Sequence, residues 1–157
     1  MTGEAIQVFD GTATTVITTT ATIANGIFTV GGTNATITQF DNSVDLWPMA
    51  NLTLELPDTF SAVPTVSTTI DLYMCRDDLA GGTADQTAPT TTLQKGSVFV
   101  GSFRLYATDE NQPNEKVVSL MGVRKCRFFL KNSSGVTMSF SAGATLKCEG
   151  FTMMPKA

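Results

Sequence analysis

Hydrophobic and polar residues alternate along most of this chain with the two-residue period of a β-strand. In residues 51–56, NLTLEL, the leucines point to one face and the polar residues to the other. In residues 69–75, TIDLYMC, both faces carry apolar residues, because Tyr73 and Cys75 lie opposite the aliphatic positions. The pattern therefore predicts one strand buried on a single face and one strand buried on both.

Two further segments continue this alternation with interruptions. Val44 and Leu46 precede the leucines across a Trp-Pro pair, and we expect them to face the core on the same side. Residues 97–106 predict a strand in which Val98 turns inward and a bulge falls at Gly101. Both segments are expected to supply side chains to one common core.

The last third of the chain predicts a β-hairpin and a closing strand. Residues 124–131 and 136–140 alternate on either side of the turn sequence Asn-Ser-Ser-Gly and are expected to pair with each other. Residues 144–153 alternate again and predict the final strand. The basic residues of the hairpin are expected to share its polar face: Lys125, Arg127 and Lys131.

Taken as a whole, the pattern predicts an all-β fold. No stretch of useful length has the 3.6-residue period of a helix, and turn signals separate about seven to nine strands. The predicted architecture is an antiparallel β-sandwich or jelly roll with an extended N-terminal arm. Residues 1–30, threonine-rich and uncharged from residue 11 onward, form this arm or the first strands. Residues 31–157 form the sandwich, and a long loop at 76–96 is expected to project from it.

Composition indicates that partners cover part of the surface. Charged residues make up 15% of the chain and hydrophobic residues 42%, whereas about a quarter of a typical soluble domain is charged. Residues 1–75 hold seven acidic and no basic residues, and residues 76–157 hold seven acidic and ten basic ones, so the two parts carry −7 and +3. This split is either ordinary solvated surface or a means of orienting contacts between subunits.

The same properties argue against a nucleic-acid or membrane partner. A net charge of −4 gives no basic excess for nucleic acid. No segment approaches the ~20 apolar residues of a membrane helix. The N-terminus, MTGEAIQVFD, has an acidic residue where a signal peptide has a basic region, so we expect an unexported protein.

Catalytic and metal-binding motifs are missing from the sequence. The chain has no histidine, no Gly-rich phosphate loop and no nucleophile motif. We therefore expect a protein that is not an enzyme and needs no cofactor or metal. Two acidic loop clusters are interpreted as solvated residues, with calcium binding as an alternative that matches no EF-hand spacing. Their members are Asp77, Asp78 and Asp85, and Asp109, Glu110, Asn111 and Glu115.

The three cysteines lie far apart in apolar segments. Cys75, Cys126 and Cys148 are expected to be buried, reduced thiols. The alternative is a disulfide between Cys126 and Cys148, if those two residues lie on neighbouring strands.

Five segments follow one another in a characteristic order. They are AIQVFDGTATTVITTTATIANGIFTV, NLTLEL, TTIDLYMCRDD with its acidic Gly/Thr-rich loop, SVFVGSFRLYAT, and VRKCRFFLKNSSG with a closing strand. This layout resembles small β-structured virion proteins of tailed bacteriophages, over nearly the full chain. The resemblance implies a protein that decorates and cements a capsid. It also implies a location on the capsid surface of the virion, after synthesis in the host cytoplasm, with the major capsid protein and copies of itself, in a trimer, as partners.

No individual contact residue is carried over from that family, so the candidates for contact with those partners come from the residues of this sequence. The threonine-rich stretch becomes a candidate for strand addition, in which backbone hydrogen bonds join it to a strand of the capsid or of a neighbouring subunit. Trp47 either packs in the core or anchors an interface with a partner protein. The basic hairpin face is either solvated or a surface for an acidic partner. The candidate interface residues are Thr14, Val16, Thr18, Thr20, Trp47, Lys125, Arg127 and Lys131.

Two other roles are compatible with the same sequence pattern and composition. A tail or neck structural protein would have a similar sequence but a smaller number of copies in each particle. A receptor-binding or carbohydrate-binding β-module would be expected to carry exposed aromatic residues in the loop at 76–96, and that loop has none.

Overall fold

The computed structural model describes residues 5–9, 11–29, 34–56, 69–76, 97–105, 114–140 and 143–155, with residues 5–9, 154 and 155 described by their backbone. These residues form twelve β-strands and no helix, so none of them belongs to a helix that could cross a membrane. In chain order the strands are β1 (Ala5–Phe9), β2 (Thr14–Thr19), β3 (Thr22–Ile23), β4 (Thr36–Ile37), β5 (Phe40–Asp41), β6 (Met49–Glu55), β7 (Thr69–Arg76), β8 (Ser97–Arg104), β9 (Asn114–Ser119), β10 (Lys125–Ser133), β11 (Met138–Ser139) and β12 (Ala144–Pro155).

The strands form two main sheets whose inner faces share one core. One sheet has the order β4-β2-β12-β6-β9, with β1 also paired to β12. The other has the order β5-β10-β7-β8, and β3 and β11 form a separate pair. Every pairing within them is antiparallel. The predicted all-β, antiparallel sandwich is therefore confirmed.

The N-terminal strands belong to the larger sheet. β12 pairs with β6 along one edge, and along its other edge residues 144–148 pair with β2 and residues 151–155 with β1. β1 and β2 thus lie end to end, and Gly11 between them approaches Gly150. The described part of residues 1–30 forms first strands rather than an extended arm, because β1 and β2 pair with β12 and β3 pairs with β11 of the same chain.

The main core lies between the two sheets and follows the predicted alternation. In β6, and in β12 as far as Gly150, every second residue is buried, and the buried residues lie opposite one another: Leu54 faces Leu146, and Leu52 faces Cys148. All four side chains are fully buried. Each buried leucine of this kind contributes about 1.5–3 kcal/mol to the free energy of unfolding. The apolar alternation predicted for residues 51–56 and 144–153 is confirmed.

The smaller sheet is buried on both faces along β7 and β10. Its inner face contributes residues such as Leu72 to the main core. Its outer face carries a second cluster formed by Phe28, Tyr73, Cys75 and Phe129. The two-sided burial predicted for residues 69–75 is confirmed.

The predicted hairpin of residues 124–140 is wrong in its pairing. β11 pairs with β3 and not with β10, whose two edges are taken by β7 on one side and by β5 and Phe28 on the other. The buried Asn132 redirects the chain: its Nδ2 donates to Ile23 O and Val136 O, each at 2.8 Å, and its Oδ1 accepts from Ser134 N at 3.0 Å. These bonds fix the turn against the β3 region instead of folding it back on β10.

Three apolar residues predicted to face the core are exposed. Val44 is 86% exposed and Leu46 59%, because residues 43–45 form a turn rather than continuing the strand. Val98, the second residue of β8, is 54% exposed. The predicted bulge at Gly101 is confirmed by a shift in register beside it, between the partners of Leu72 and Tyr73.

Other expectations fall on residues that the structure does not describe. The projecting loop at 76–96 lies outside the described residues except for Arg76, which ends β7. The acidic residues Asp77, Asp78, Asp85, Asp109 and Glu110, with Asn111, also lie outside them. Glu115 is described and is exposed on β9.

All three cysteines are buried and free, so the alternative disulfide between Cys126 and Cys148 is not formed. Burial, with a smaller contribution from the nearby Cys126, raises the pKa of the Cys148 thiol. The thiol is therefore neutral at physiological pH and packs as a small apolar side chain.

Replacing Gly150 by alanine tests the tightest contact of the larger sheet. A Cβ at Gly150 would lie far inside the van der Waals radius of the Trp47 indole ring. Replacing glycine by alanine usually stabilises a strand. Here we expect the opposite: because of the clash, Gly150→Ala should lower the free energy of unfolding, measured in urea, by about 1–3 kcal/mol. In a Trp47→Ala background the same substitution is expected to cost less. An equal cost in both backgrounds would show that the ring is not responsible.

Candidate protein-interaction site

A buried asparagine fixes the loop between β5 and β6. Asn42 is 1% exposed. Its Nδ2 donates to Trp47 O at 2.9 Å and to Val123 O at 3.0 Å, and its Oδ1 accepts from Trp47 N at 2.7 Å. The side chain thereby ties this loop to the turn that follows β9, and its buried polar atoms are paired.

The turn after β9 is held by backbone hydrogen bonds. Leu120 N donates to Pro48 O at 2.8 Å, and Val123 N donates to Leu120 O at 2.8 Å. Gly122 has φ 72°, a left-handed conformation that suits glycine. Arg76 Nη2 donates to Gly122 O at 2.7 Å. Because the main chain holds this turn in place, Leu120 and Val123 point into the core while the Met121 side chain is left to point outward.

The loop between β5 and β6 and the turn after β9 enclose a groove of about 410 Å³ at one end of the sandwich. We call it the end groove; its lining is Asn42, Leu46, Trp47, Pro48, Leu120, Met121, Gly122, Val123 and Arg124. Met121 on the rim is 78% exposed and Leu46 59%, and Val44, two residues before Leu46, is 86% exposed. Large apolar side chains grouped in this way are typical of a surface that binds another protein.

Leu46 has φ 54°, which is unusual for a residue with a branched side chain. Its backbone N donates to Asn42 O at 3.1 Å, and the next residue is bonded to the Asn42 side chain. The surrounding bonds therefore hold a backbone conformation that costs free energy, and such conformations cluster at functional sites.

Trp47, predicted as a plug or an anchor, lies in the wall of the end groove. Its ring is half-buried and packs on Gly150 of β12, where no side chain competes for the space. Its backbone N–H and C=O both bond to Asn42. Trp47 is thus a fixed wall of the groove that also packs against the core.

Asp41 and Lys125 pair at the base of the loop that forms the groove. Lys125 Nζ lies 3.1 Å from Asp41 Oδ2, and the two residues are opposite each other in β5 and β10. Ser43 N donates to Asp41 Oδ1 at 2.9 Å. Hydrogen bonds from Ser43, followed by the one from Lys125, lower the pKa of Asp41 from 3.8 to about 2. The pair is exposed, so its contribution to stability is small.

The predicted basic residues share the outer face of β10, on both sides of the buried Phe129. Arg127 and Lys131 are half-buried there, and Lys131 Nζ lies 5.6 Å from the ring centre of Phe28. This distance allows a cation–π contact. The sheet therefore places all three basic residues on one face, as predicted: Lys125, Arg127 and Lys131. The Lys125 ammonium is paired with Asp41, and the Lys131 ammonium lies over the Phe28 ring.

An aromatic row crosses the same outer face. Phe28 and Tyr73 meet edge to face at 5.3 Å between ring centres, and Tyr73 and Phe99 at 5.4 Å. Phe99 is 55% exposed, whereas Tyr73 is almost buried. Burial, followed by the charge of Asp71, raises the pKa of Tyr73. Phe99, on the edge strand β8, is thus the part of this row open to contact.

The four predicted residues of the threonine-rich stretch do not join the end groove. Thr14 and Thr18 are exposed on β2, and Thr20 is exposed just after it. Val16 is fully buried in the core. The pairing of β2 with β12 shifts at this point, so that Val16 and Ile17 are consecutive and both buried. Val16 is therefore a core residue, and the prediction of an interface role for it is wrong.

Sequence reasoning missed Asn42, Val44, Leu46 and Met121. The signal for Asn42 was the run Asp-Asn-Ser, which is typical of a turn stabilised by side-chain hydrogen bonds. Met121 had no signal, because one exposed methionine after a strand forms no pattern. The groove arises from two loops that are far apart in the sequence.

No protein-family model matches the chain, and no curated protein matches it. Within the described ranges, no group of three or more His, Cys, Asp or Glu side chains is placed to hold a metal ion. The geometry of the end groove and the outer face is therefore what bears on function.

Removing the Asn42 amide is expected to destabilise the end groove. Asn42→Ala leaves the backbone groups of Trp47 and Val123 buried without the side-chain partner. We expect a loss of about 2–4 kcal/mol in the free energy of unfolding, measured in urea. Asn51→Ala, on the half-buried face of β6, serves as the control and should cost less than about 1 kcal/mol. A similar small cost for both variants would contradict the bracing role of Asn42.

Asp41 gives the loop a small dependence on pH. Because its pKa is lowered in the folded state, its stabilisation is fully present above its unfolded value of 3.8 and is lost as the pH falls toward about 2. Asp41→Asn should therefore reduce the free energy of unfolding by about 0.2–1 kcal/mol at pH 6. At pH 2 the two proteins should differ less. A difference that grows toward low pH would contradict the assigned direction.

Proposed function

We propose that this protein is a structural component of a bacteriophage particle that decorates the capsid and stabilises it through protein–protein contacts. The observation that carries the proposal is the end groove, where Val44, Leu46 and Met121 are held exposed on a frame of internal hydrogen bonds. A surface already fixed in its bound shape loses little conformational entropy on binding. It therefore suits repeated, identical contacts with a regular lattice.

The layout of the sequence supports the choice of partner. Its resemblance to small β-structured phage virion proteins favours the major capsid protein and copies of this chain, in a trimer, over nucleic acid or membrane. Low charge content and the opposite charges of residues 1–75 and 76–157 fit a protein that is covered on several sides in one orientation.

Stabilisation would follow from mass action. A protein that binds the assembled shell, and not its separate subunits, lowers the free energy of the shell by the free energy of binding at every site. The end groove supplies apolar contact area, and the half-exposed Phe99 on the outer face supplies a second contact. Two surfaces on one sandwich would let a copy bridge neighbouring capsid subunits.

The number of copies in purified particles tests the role. Quantitative mass spectrometry of gradient-purified particles from the source of this sequence would measure the ratio of this chain to the most abundant shell protein. A ratio near one to one, or one trimer for each three-fold position, is expected. A handful of copies would replace the proposal with a tail or neck role, and complete absence would overturn it.

Changes in the end groove should weaken binding to particles without unfolding the protein. We expect the double variant Val44→Ser/Met121→Ser to bind capsids lacking this protein at least about tenfold less tightly, which corresponds to about 1.4 kcal/mol. Its unfolding midpoint should stay close to that of the wild type, because both side chains are exposed. Val117→Ser, which alters a half-exposed residue of β9, is the matched control and should bind normally. Normal binding by the double variant would show that the end groove is not the contact.

A further inference from the structure

The outer face of the larger sheet is acidic. The outward residues of β6 lie opposite those of β12 on one side and those of β9 on the other. Among the described residues, the charged members of this face are three acidic and one basic: Glu55, Glu115, Glu149 and Lys147. Lys147 Nζ lies 2.6 Å from Glu55 Oε1, so these two charges are paired. This surface, which we call the acidic face, thus has a net charge of −2, carried by Glu115 and Glu149.

The outer face of the smaller sheet is basic. It consists of the residues of β7, β8 and β10 that point away from the main core, together with Asp41 of β5. Among the described residues, its charged members are four basic and two acidic: Arg104, Lys125, Arg127, Lys131, Asp41 and Asp71. The Asp71 carboxylate accepts hydrogen bonds from Ser102 Oγ and Ser133 Oγ, each at 2.7 Å. This surface, which we call the basic face, has a net charge of +2.

The two faces lie on opposite sides of the molecule, because the inner faces of both sheets pack on one core. The division of charge between them differs from the division along the chain. Glu115 and Glu149 of the acidic face belong to residues 76–157, which carry +3 as a whole. Folding therefore sorts the charges by sheet, so that one molecule presents an acidic surface and a basic surface at the same time.

We propose, resting on the function proposed above, that the acidic face docks on the basic face of a second copy of this chain. Each copy uses its two faces for two different neighbours, which is a head-to-tail contact. Such a contact closes into a ring when the rotation between copies allows it and otherwise continues as an open row. Opposite charges favour this docking and set its orientation.

Pairing of like faces is disfavoured by the same charges. Two basic faces, each carrying +2, or two acidic faces, each carrying −2, would repel each other. The end groove stays accessible in the head-to-tail contact, because it lies at one end of the sandwich and not on a face. Neighbouring copies would therefore hold one another through their faces while each holds the capsid through its groove.

Sedimentation velocity on the full-length protein tests this contact without particles. At about 20 mM NaCl the weight-average sedimentation coefficient should rise with protein concentration, because exposed charges are little screened there. At about 300 mM NaCl we expect an apparent dissociation constant at least about tenfold larger. A sedimentation coefficient that is independent of protein concentration at low salt would overturn the proposal, and so would self-association that is equally strong at both salt concentrations.

Two charge-changing variants test which faces meet. Glu115→Lys/Glu149→Gln removes two negative charges from the acidic face and adds one positive charge, so that this face changes from −2 to +1. Arg104→Glu/Lys131→Gln changes the basic face from +2 to −1 in the opposite way. Each variant alone then presents two faces of the same sign and should not self-associate. An equimolar mixture should associate, because the unchanged basic face of the first variant meets the unchanged acidic face of the second. Recovery on mixing also shows that both variants are folded.

Asp45→Lys is the matched control. Asp45 is exposed in the turn between β5 and β6, off both faces, and the substitution makes the net charge more positive by two. This variant should self-associate like the wild type. Loss of self-association in the control, self-association of either face variant alone, or a mixture that stays monomeric would each contradict the docking of acidic face on basic face. A protein that coats capsids but does not self-associate loses this inference and keeps the decoration role.

Discussion

Backbone hydrogen bonding to β12 is the constraint on which the sandwich depends. This strand is the common neighbour of β1, β2 and β6, so it satisfies backbone groups that three other strands would otherwise leave unpaired. Its register is fixed by Leu146 and Cys148, since a slip of one residue would turn both toward the opposite face. The outer strands of the larger sheet take their places from this one alignment.

Buried amides play a comparable part where the strands end. Asn42 joins the loop before β6 to the turn after β9, and Asn132 joins the turn after β10 to the β3 region. In both cases one side chain both donates and accepts, so that two loops are held at the cost of ordering one residue. Loops held from the inside can display apolar side chains outward, and the end groove depends on this arrangement.

The alternation of leucines revealed the fold class, the strands β6, β7 and β12 and the two-sided burial of β7, because a two-residue period is a local property. The pairing of β11 with β3 could not be predicted in the same way. It depends on hydrogen bonds from Asn132 to Ile23 and Val136, and the sequence of a turn does not indicate which distant residue it will contact. Val16 and Ile17 break the period at a bulge that leaves no mark in composition. Of the residues that line the end groove, only Trp47 could be identified as a candidate from the sequence. An aromatic residue next to a proline is a distinctive pattern, whereas a single methionine such as Met121 is not.

The pairing of β1 with the last residues of β12 has a consequence for synthesis. The first strand of the larger sheet has its only described strand partner at the opposite end of the chain. During translation β1 and β2 therefore leave the ribosome long before β12 exists, and most of the larger sheet must wait for residues 144–155. The threonine-rich, uncharged β2 is suited to this delay, because its threonines stay hydrated without burying a large apolar surface. The larger sheet can therefore be completed only after β12 has been synthesised.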